Sequence, residues 1–383
     1  MEQMILPGST IGVVGGGQLG KMLAHAAQML GYKVVIWSEE EDCPACRVTS
    51  SVIIGPYTDK EKLAQFIKQV NIVTVETEHI SLSVLKEIEE QLPLYPSAQI
   101  VGIAQNRQKE KRWLADHQFP VVPFRIVQSL EEIILFQEQI DGDIVVKTIT
   151  GGYDGKGQLR ITKTPLSQEQ TLQIFQWLLN ENMLIAEAWL PIQMEFSVIA
   201  ARNKNRQFSS FPVVENEHRD HILHQTIAPA RIAQEVANQA VEITEKLMEE
   251  LDYVGLLCVE FFYDQQGKIY INELAPRPHN SGHFTLDATI TSQFEQTIRA
   301  VCNLPLNETR LLSPSVMVNL LGDLWQEKFN IEKIVTESAT KLHLYGKKEA
   351  RVKRKMGHYT TLADSIEKAI DKAENIYLSL LDS

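Results

Sequence analysis

Glu260 and Glu273 stand on either side of a short turn, Asp264-Gln265-Gln266-Gly267, in two runs that read as strands. If the runs pair as a hairpin with a loop of two or four residues, Glu273 falls opposite Cys258 and Ile271 opposite Glu260. The two glutamates are then diagonal neighbours on one face, with Cβ atoms about 7–8 Å apart. Carboxylates at that distance can converge on one divalent cation, and hard oxygen donors beside a phosphate suit Mg²⁺. Glu260 lies within Cys-Val-Glu-Phe-Phe, where an unpaired charge is costly to bury. A metal ligand accounts for it better than a surface acid or a structural ion pair does.

A second constellation lies upstream. The run Asp143-Ile-Val-Val-Lys147 ends a strand on a lysine, and Gly151-Gly152-Tyr153-Asp154-Gly155-Lys156-Gly157 follows. This is not a Walker loop, which would end in G-K-[ST] and open a helix. A glycine run with an embedded lysine between two strands makes a flap that can close over polyphosphate, donate backbone N–H groups and exclude water. Lys147 and Lys156 supply the positive charge. A plain hairpin turn would need one or two glycines.

After Glu273 the chain continues as Leu-Ala-Pro276-Arg277-Pro278-His279-Asn280-Ser281-Gly282-His283. Two prolines stiffen a segment rich in cationic and amide donors, suited to an anionic substrate beside the metal. Arg277 is the candidate for holding a carboxylate, bicarbonate or phosphate group; His283 reads as structural. Near the N-terminus, Gly15-Gly16-Gly17-Gln18-Leu19-Gly20 fits G-x-G-x-x-G between a strand and a helix. Such a loop can take an anion on its backbone N–H groups, or be a tight turn with no ligand. A dinucleotide site would also want an acid ending the second strand, and Glu39 comes slightly late for that role.

These groups need elements to hold them. Thr10–Val14, Lys33–Trp37, Val52–Ile54 and Ile72–Glu76 read as short buried strands separated by helical stretches (Gln18–Leu30, Lys60–Gln69), a βα pattern implying a parallel sheet covered on both faces. From about residue 105 come a charged helix (Asn106–His117), strands at Phe124–Val127, Asp143–Lys147 and Met183–Ala188, and helices at Leu130–Gln139 and Gln168–Leu179. Beyond Glu195 alternating runs (Phe196–Ala201, Gln207–Pro212, Gly255–Asp264, Lys268–Glu273) suggest a larger sheet, with a long amphipathic helix at Gln234–Leu251. The tail has strands at Val316–Leu321, Lys341–Tyr345 and Gly357–Thr361 and a final helix, Ser365–Leu378. The expected division is 1–104, 105–303 (with a flap subdomain at about 120–190) and 304–383.

A net charge of −12 over 383 residues argues against a general nucleic-acid binder. No apolar run approaches the about 18 residues of a membrane span, and the N-terminus lacks the pattern of a secretion signal. Cys43-Pro-Ala-Cys46 lacks the second ligand pair of a zinc site, so reduced thiols in a cytoplasmic protein are expected. The basic stretch Lys347–Lys355 reads as a solvated face with one or two phosphate contacts.

Taken in order, two glycine loops, a strand lysine and a glutamate hairpin resemble the ATP-grasp superfamily, and within it the N5-carboxyaminoimidazole ribonucleotide synthase family. The likeness covers nearly the whole chain. Ile11–Gly20, Gly151–Gln158, Asn272–His283 and Lys355-Met-Gly-His358 carry it. It implies an α/β and α+β architecture: a doubly wound N-terminal domain, an ATP-grasp domain and a small C-terminal β-rich domain. It further implies ATP and Mg²⁺ as cofactors, aminoimidazole ribonucleotide and bicarbonate as substrates, and a homodimer, with neither nucleic acid nor membrane as partner.

By the same resemblance, Arg107 and Lys147 contact ATP phosphates, and Gly152, Tyr153, Asp154, Gly155, Lys156, Gly157 and Gln158 form the covering flap. Glu187, Ala188, Trp189 and Leu190 bind adenine at the end of an apolar strand, Glu195 holds the ribose, and His218, Asn272 and Glu273 add nucleotide contacts. Glu260 and Glu273 are the metal ligands. Gln18, Glu76, Tyr153, Asp154, Arg277, His279, Lys347 and Arg354 bind the ribonucleotide, and Asp154, Lys147 and Arg277 are the catalytic candidates. Two departures stand out: Ile149 replaces an arginine usual two residues after the strand lysine, and Val75-Glu76-Thr77-Glu78 replaces a Tyr-Glu-Phe-Glu pattern. Another ATP-grasp ligase, such as a formate-dependent glycinamide ribonucleotide transformylase or a biotin carboxylase, shares the nucleotide site. An NAD-dependent oxidoreductase would rest on Gly15–Gly20 alone, and a nucleotide-sensing scaffold would keep the fold without turnover.

Overall fold

Short runs of β-branched residues make the first sheet. In a computed structural model describing residues 3–152, 155–162, 166–326 and 329–381, strands β1 (Thr10–Val14), β2 (Lys33–Ser38), β3 (Val52–Ile54) and β4 (Ile72–Val75) pair in parallel in the order β3-β2-β1-β4. Successive side chains face opposite ways along a strand. Ile11, Val13, Val34 and Ile36 therefore enter one core with the helix Gln18–Met29. Val14, Val35 and Trp37 enter the other with Phe66, Val84 and Leu85. Both faces are covered, as the βα pattern requires. The first core also takes Phe294, Ile298 and Val301 from the helix Gln293–Val301, which docks this unit onto the middle of the chain.

The second sheet holds β5 (Phe124–Val127), β6 (Ile144–Thr148), β7 (Gln158–Ile161) and β8 (Leu184–Ala188), antiparallel in the order β5-β8-β6-β7. The helices Leu130–Ile140 and Gln168–Glu181 cover one face through Ile133, Phe136 and Ile174. Ser167 and Gln170 form a capping box at the start of the second helix. The β6–β7 pairing, with Lys147 opposite Gln158, confirms that the second glycine loop joins two adjacent strands.

The third sheet comprises β9 (Ile192–Arg202), β10 (Phe208–Ser210), β11 (Val214–Arg219), β12 (Ile222–Ala228), β13 (Gly255–Asp264), β14 (Ile269–Ala275), β15 (Ser315–Leu321), β16 (Thr340–Leu344) and β17 (Lys355–Leu362). Their order is β14-β13-β9-β11-β12-β15-β17-β16, with β10 on β9. The C-terminal strands thus extend the same sheet that carries the glutamate hairpin, because β15 pairs with β12. The hairpin β11–β12 escapes the sequence reading. Its turn residues Asp220 and His221 have φ of 49° and 65°, a left-handed turn made without the glycine that normally signals one.

The cysteines require a correction. The structure joins Cys43 and Cys46 in a disulfide, where reduced thiols were expected. The 3-10 turn Ala45–Arg47 folds the C-x-x-C back on itself, and the Cys46 N–H reaches the Cys43 sulfur at 3.1 Å.

Candidate active site

The glutamate hairpin forms, with a different register. Glu260 lies directly opposite Glu273, not diagonal to it, because a bulge lets Asn272 stand as an extra residue before Phe261 meets Ile271. The bulge draws the acids closer. Ligand atoms of Glu260, Glu273 and His279 lie within 4.8 Å of one another. The Asn272 amide leans toward Glu260 at 3.5 Å. Burial, then the Glu273 carboxylate beside it, pushes the Glu260 carboxyl up to about 8. Two crowded acids and a neutral imidazole, with His279 held well below its ordinary range by burial and then by Arg277, form a donor set that a hard divalent cation fits.

Facing the hairpin is the helix Arg107–Asp116, capped by Asn106. Arg107, Glu110, Lys111 and Leu114 fall on one stripe at helical spacing, and this stripe faces the protein. The Arg107 guanidinium donates to the Thr148 and Gly152 carbonyls at 2.9 and 2.7 Å and so holds the root of the glycine flap. Lys111 donates to the Ile271 and Asn272 carbonyls. Glu110 accepts from the Leu274 N–H at 3.1 Å.

Glu187 is 1 % exposed, between Lys147 at 2.5 Å and Lys111 at 3.5 Å. Burial pushes its carboxyl up, but the two lysines outweigh burial and hold it at about 2. It is the last residue but one of β8. β8 is interior, with Glu187 between Phe124 of β5 and Val145 of β6, and the following N–H groups of Ala188 and Trp189 go to the Pro123 and Asp143 carbonyls.

The first glycine loop is occupied by the protein itself. Glu76 accepts from the Gly17 and Gly20 N–H groups at 2.6 and 2.8 Å. A Cβ at Gly15 would come within 2.2 Å of the Glu76 side chain, and at Gly17 within 2.7 Å of its carboxylate. The N–H groups that would take a dinucleotide's pyrophosphate are filled, and Glu39 accepts from the Tyr57 N–H. The oxidoreductase reading loses its one support. Nearby, Arg277 forms a two-pronged pair with Glu78, one prong at 2.9 Å. Burial opposes ionised Glu78, but Arg277 prevails and holds it at about 2. Arg277 therefore grips a protein carboxylate through Nε and Nη2.

One cleft of about 520 Å³ collects most of the named residues. Gln18, Glu76, Arg107, Lys147, Gly152, Gly155, Lys156, Gln158, Glu187, Glu195, His218, Glu260, Asn272, Glu273, Arg277 and His279 line it. His218 Nδ1 lies 3.0 Å from Glu195; burial pulls this imidazole down, the carboxylate more than offsets that, and its pKa rises. Gly157, Ala188, Trp189, Leu190, Lys347 and Arg354 are not among the lining residues. Trp189 instead lies against the Arg160 guanidinium at 4.2 Å, and Arg354 donates to the Glu349 carbonyl. The Lys347 ammonium is lowered to about 8 by burial, then by Arg354 and Lys355. Tyr153 and Asp154 lie outside the described residues. Ile149, at the usual arginine position, is buried, and its N–H donates to Glu181.

The sequence reading missed Lys111, Glu110, Glu78 as the partner of Arg277, and Lys355 and His221 as lining residues. A signal for the first two existed: Arg107, Glu110 and Lys111 stand at i, i+3 and i+4 on the stripe that ends in Leu114, where apolar residues normally face a core.

Three family models match the chain: a ribonucleotide synthetase preATP-grasp domain over residues 8–105, an ATP-grasp domain over 112–294, and a phosphoribosylaminoimidazole carboxylase C-terminal domain over 315–372. A protein of Bacillus subtilis (strain 168) named N5-carboxyaminoimidazole ribonucleotide synthase is 40% identical over 378 residues, covering 99% of this chain and 98% of its own. The structure of an ADP complex of an N5-carboxyaminoimidazole ribonucleotide synthetase superposes with a TM-score of 0.91 at 41% identity, over 100% of this chain and 99% of that one. An N5-carboxyaminoimidazole synthase from Aspergillus clavatus, in complex with ADP and 5-aminoimidazole ribonucleotide, matches at a TM-score of 0.89 and 28% identity over 98% of each chain.

Proposed function

The chain belongs to the N5-carboxyaminoimidazole ribonucleotide synthase family, and from that premise we propose that it uses ATP and bicarbonate to carboxylate the exocyclic amine of 5-aminoimidazole ribonucleotide, a ligase reaction of purine biosynthesis. The products are N5-carboxyaminoimidazole ribonucleotide, ADP and phosphate. The observation that carries the reading is the single cleft in which the glutamate hairpin, the flap root and the Glu76–Arg277 side face one another.

Bicarbonate is a poor electrophile with a poor leaving group. Attack of its oxygen on the γ-phosphorus of ATP breaks the bond to the β-phosphate oxygen and gives carboxyphosphate and ADP. The amine then takes the carboxyl group, directly or as CO₂, and phosphate departs. The first step is mainly positioning and charge neutralisation. Lys147 and Lys156 supply cations at the flap, and Arg107 fixes the flap root. Glu187 keeps the Lys147 ammonium in place. Glu260 and Glu273, with Asn272 and His279 beside them, would hold Mg²⁺, which supplies charge neutralisation for the polyphosphate when bound. Glu195 would hold the ribose hydroxyls of the nucleotide, and His218 beside it would add a further nucleotide contact. Gln18, Glu76, Arg277 and His279 of the cleft would face the ribonucleotide, with Arg277 kept in a fixed fork by Glu78; Lys347 and Arg354, which stand outside the lining, would have to reach it from beyond the cleft wall. Tyr153 and Asp154 of the flap complete the assignment, with Asp154 orienting the substrate amine. Water exclusion by the flap protects carboxyphosphate from hydrolysis. The proposal extends to a cytoplasmic homodimer. Among the described residues no helix is long and apolar enough to cross a membrane.

The deciding experiment measures phosphate release from ATP with bicarbonate, with and without aminoimidazole ribonucleotide. Substrate-stimulated release that needs bicarbonate is expected. Release driven by formate and glycinamide ribonucleotide instead would transfer the chain to a different ligase chemistry, and ATP binding without stimulated hydrolysis would leave a nucleotide sensor.

A further inference from the structure

The mechanism above leaves a buried cation of the cleft, Lys111, unused. Lys111 is 2 % exposed, and its ammonium touches two parts of the site at once. It donates to the Asn272 carbonyl at 2.8 Å and to the Ile271 carbonyl at 3.2 Å, the two peptide groups that lead into Glu273 through the bulge. It also stands 3.5 Å from the Glu187 oxygen that faces away from Lys147, an oxygen with no hydrogen bond of its own. The residue before it, Glu110, takes the Leu274 N–H on the other side of Glu273. Thus one helix grips the strand immediately before and immediately after the expected metal ligand. β14 is the edge strand of its sheet, so carbonyls outside the ladder at its bulge need other donors; here they find an ammonium tied to the nucleotide side of the cleft.

We propose that Lys111 is a positioning residue that sets the Glu273 carboxylate for its cation and links that setting to the Glu187–Lys147 pair. The inference rests on the metal assignment given above. Lys111 touches no reacting atom in this scheme and acts through Glu273 and Glu187. Groups that orient metal ligands typically change metal affinity about 10–100-fold when removed.

The test uses the full-length chain, ADP and Mn²⁺, with free Mn²⁺ read from its paramagnetic resonance signal. Wild type with ADP should bind Mn²⁺, and Glu273→Gln should lose it; failure of either removes the metal assignment itself. With those in place, Lys111→Met should bind Mn²⁺ about 10-fold or more weakly in the presence of ADP, while circular dichroism shows a folded chain. Lys111→Gln keeps a donor for the Asn272 carbonyl but removes the charge. It is the second variant if methionine prevents folding, and a loss smaller than that of Lys111→Met is expected. Wild-type Mn²⁺ affinity in either folded variant, with only a lower unfolding temperature, overturns the positioning role and leaves Lys111 a structural cation.

Discussion

Replacing Lys147 with methionine removes the nearer of two cations from a carboxylate that has almost no contact with water. At an effective dielectric constant of about 20, the 2.5 Å contact to Lys147 is worth about 7 kcal/mol of gross attraction and the 3.5 Å contact to Lys111 about 5 kcal/mol. Burial opposes both. The balance holds Glu187 at about 2 against an ordinary value of 4.5, a net stabilisation of about 3 kcal/mol for the ionised form. Without Lys147 burial is opposed by Lys111 and Arg107 alone, and the Glu187 pKa is expected to rise above its ordinary value. In wild type the folded pKa lies below the unfolded one. Its contribution is therefore complete above about pH 4.5 and lost as pH falls toward about 2. In Lys147→Met the sign reverses: the raised pKa destabilises the fold above pH 4.5, and lowering the pH relieves it. The wild-type advantage is thus largest at neutral pH, about 3 kcal/mol or more, and narrows toward pH 5. Denaturant unfolding of wild type, Lys147→Met, Glu187→Gln and the double variant at pH 7 and pH 5 measures this as a coupling energy. Equal stabilities at pH 7, or a gap that is the same at pH 5, would refute the balance drawn here. ATP titration of the same variant should show weakened binding.

Three further outcomes are expected. Glu273→Gln should abolish divalent-dependent turnover while circular dichroism stays that of wild type; retained turnover would remove Glu273 from the cation site. Gly155→Ala should raise the KM for ATP about tenfold, about 1.4 kcal/mol. Gly155 has a φ of +78°, and a Cβ there would meet the Cβ of His221 at 2.4 Å, so an unchanged KM would mean that the flap does not keep this approach with nucleotide bound. Arg277→Lys keeps the charge but loses the fork to Glu78; it should lower kcat/KM for aminoimidazole ribonucleotide about tenfold or more, about 1.4 kcal/mol, with the KM for ATP little changed. Equal losses for both substrates would show a general collapse of the cleft.

Local pattern carried a large part of the architecture. The strands Phe124–Val127 and Gly255–Asp264 are found where their alternation and turn residues place them, and the Asn106 cap marks the start of its helix. Residue type also brought Glu260 and Glu273 to one cluster, since a charge among Cys, Val and Phe demands a partner. What pattern could not carry was anything decided between elements. The bulge at Asn272 depends on how β14 meets β13, and no residue there announces it. The interior position of Glu187 follows from strand order. The pairing of Arg277 with Glu78 joins residues 199 apart in the chain, beyond the reach of any local spacing. The glycine-rich first loop was legible as an anion cradle, but not that its anion is Glu76.

The extension of the third sheet by β15, β16 and β17 has a consequence for handling the protein. β12 is satisfied on its outer side only because β15 lies against it. A fragment ending before residue 315 would expose that ladder, Gln225 to Ala228, as a raw border of unmatched amides and carbonyls in a strand buried along its whole length in the intact chain. Such borders recruit strands from other molecules. Trimming the tail to isolate the nucleotide-binding portion is therefore expected to produce aggregates.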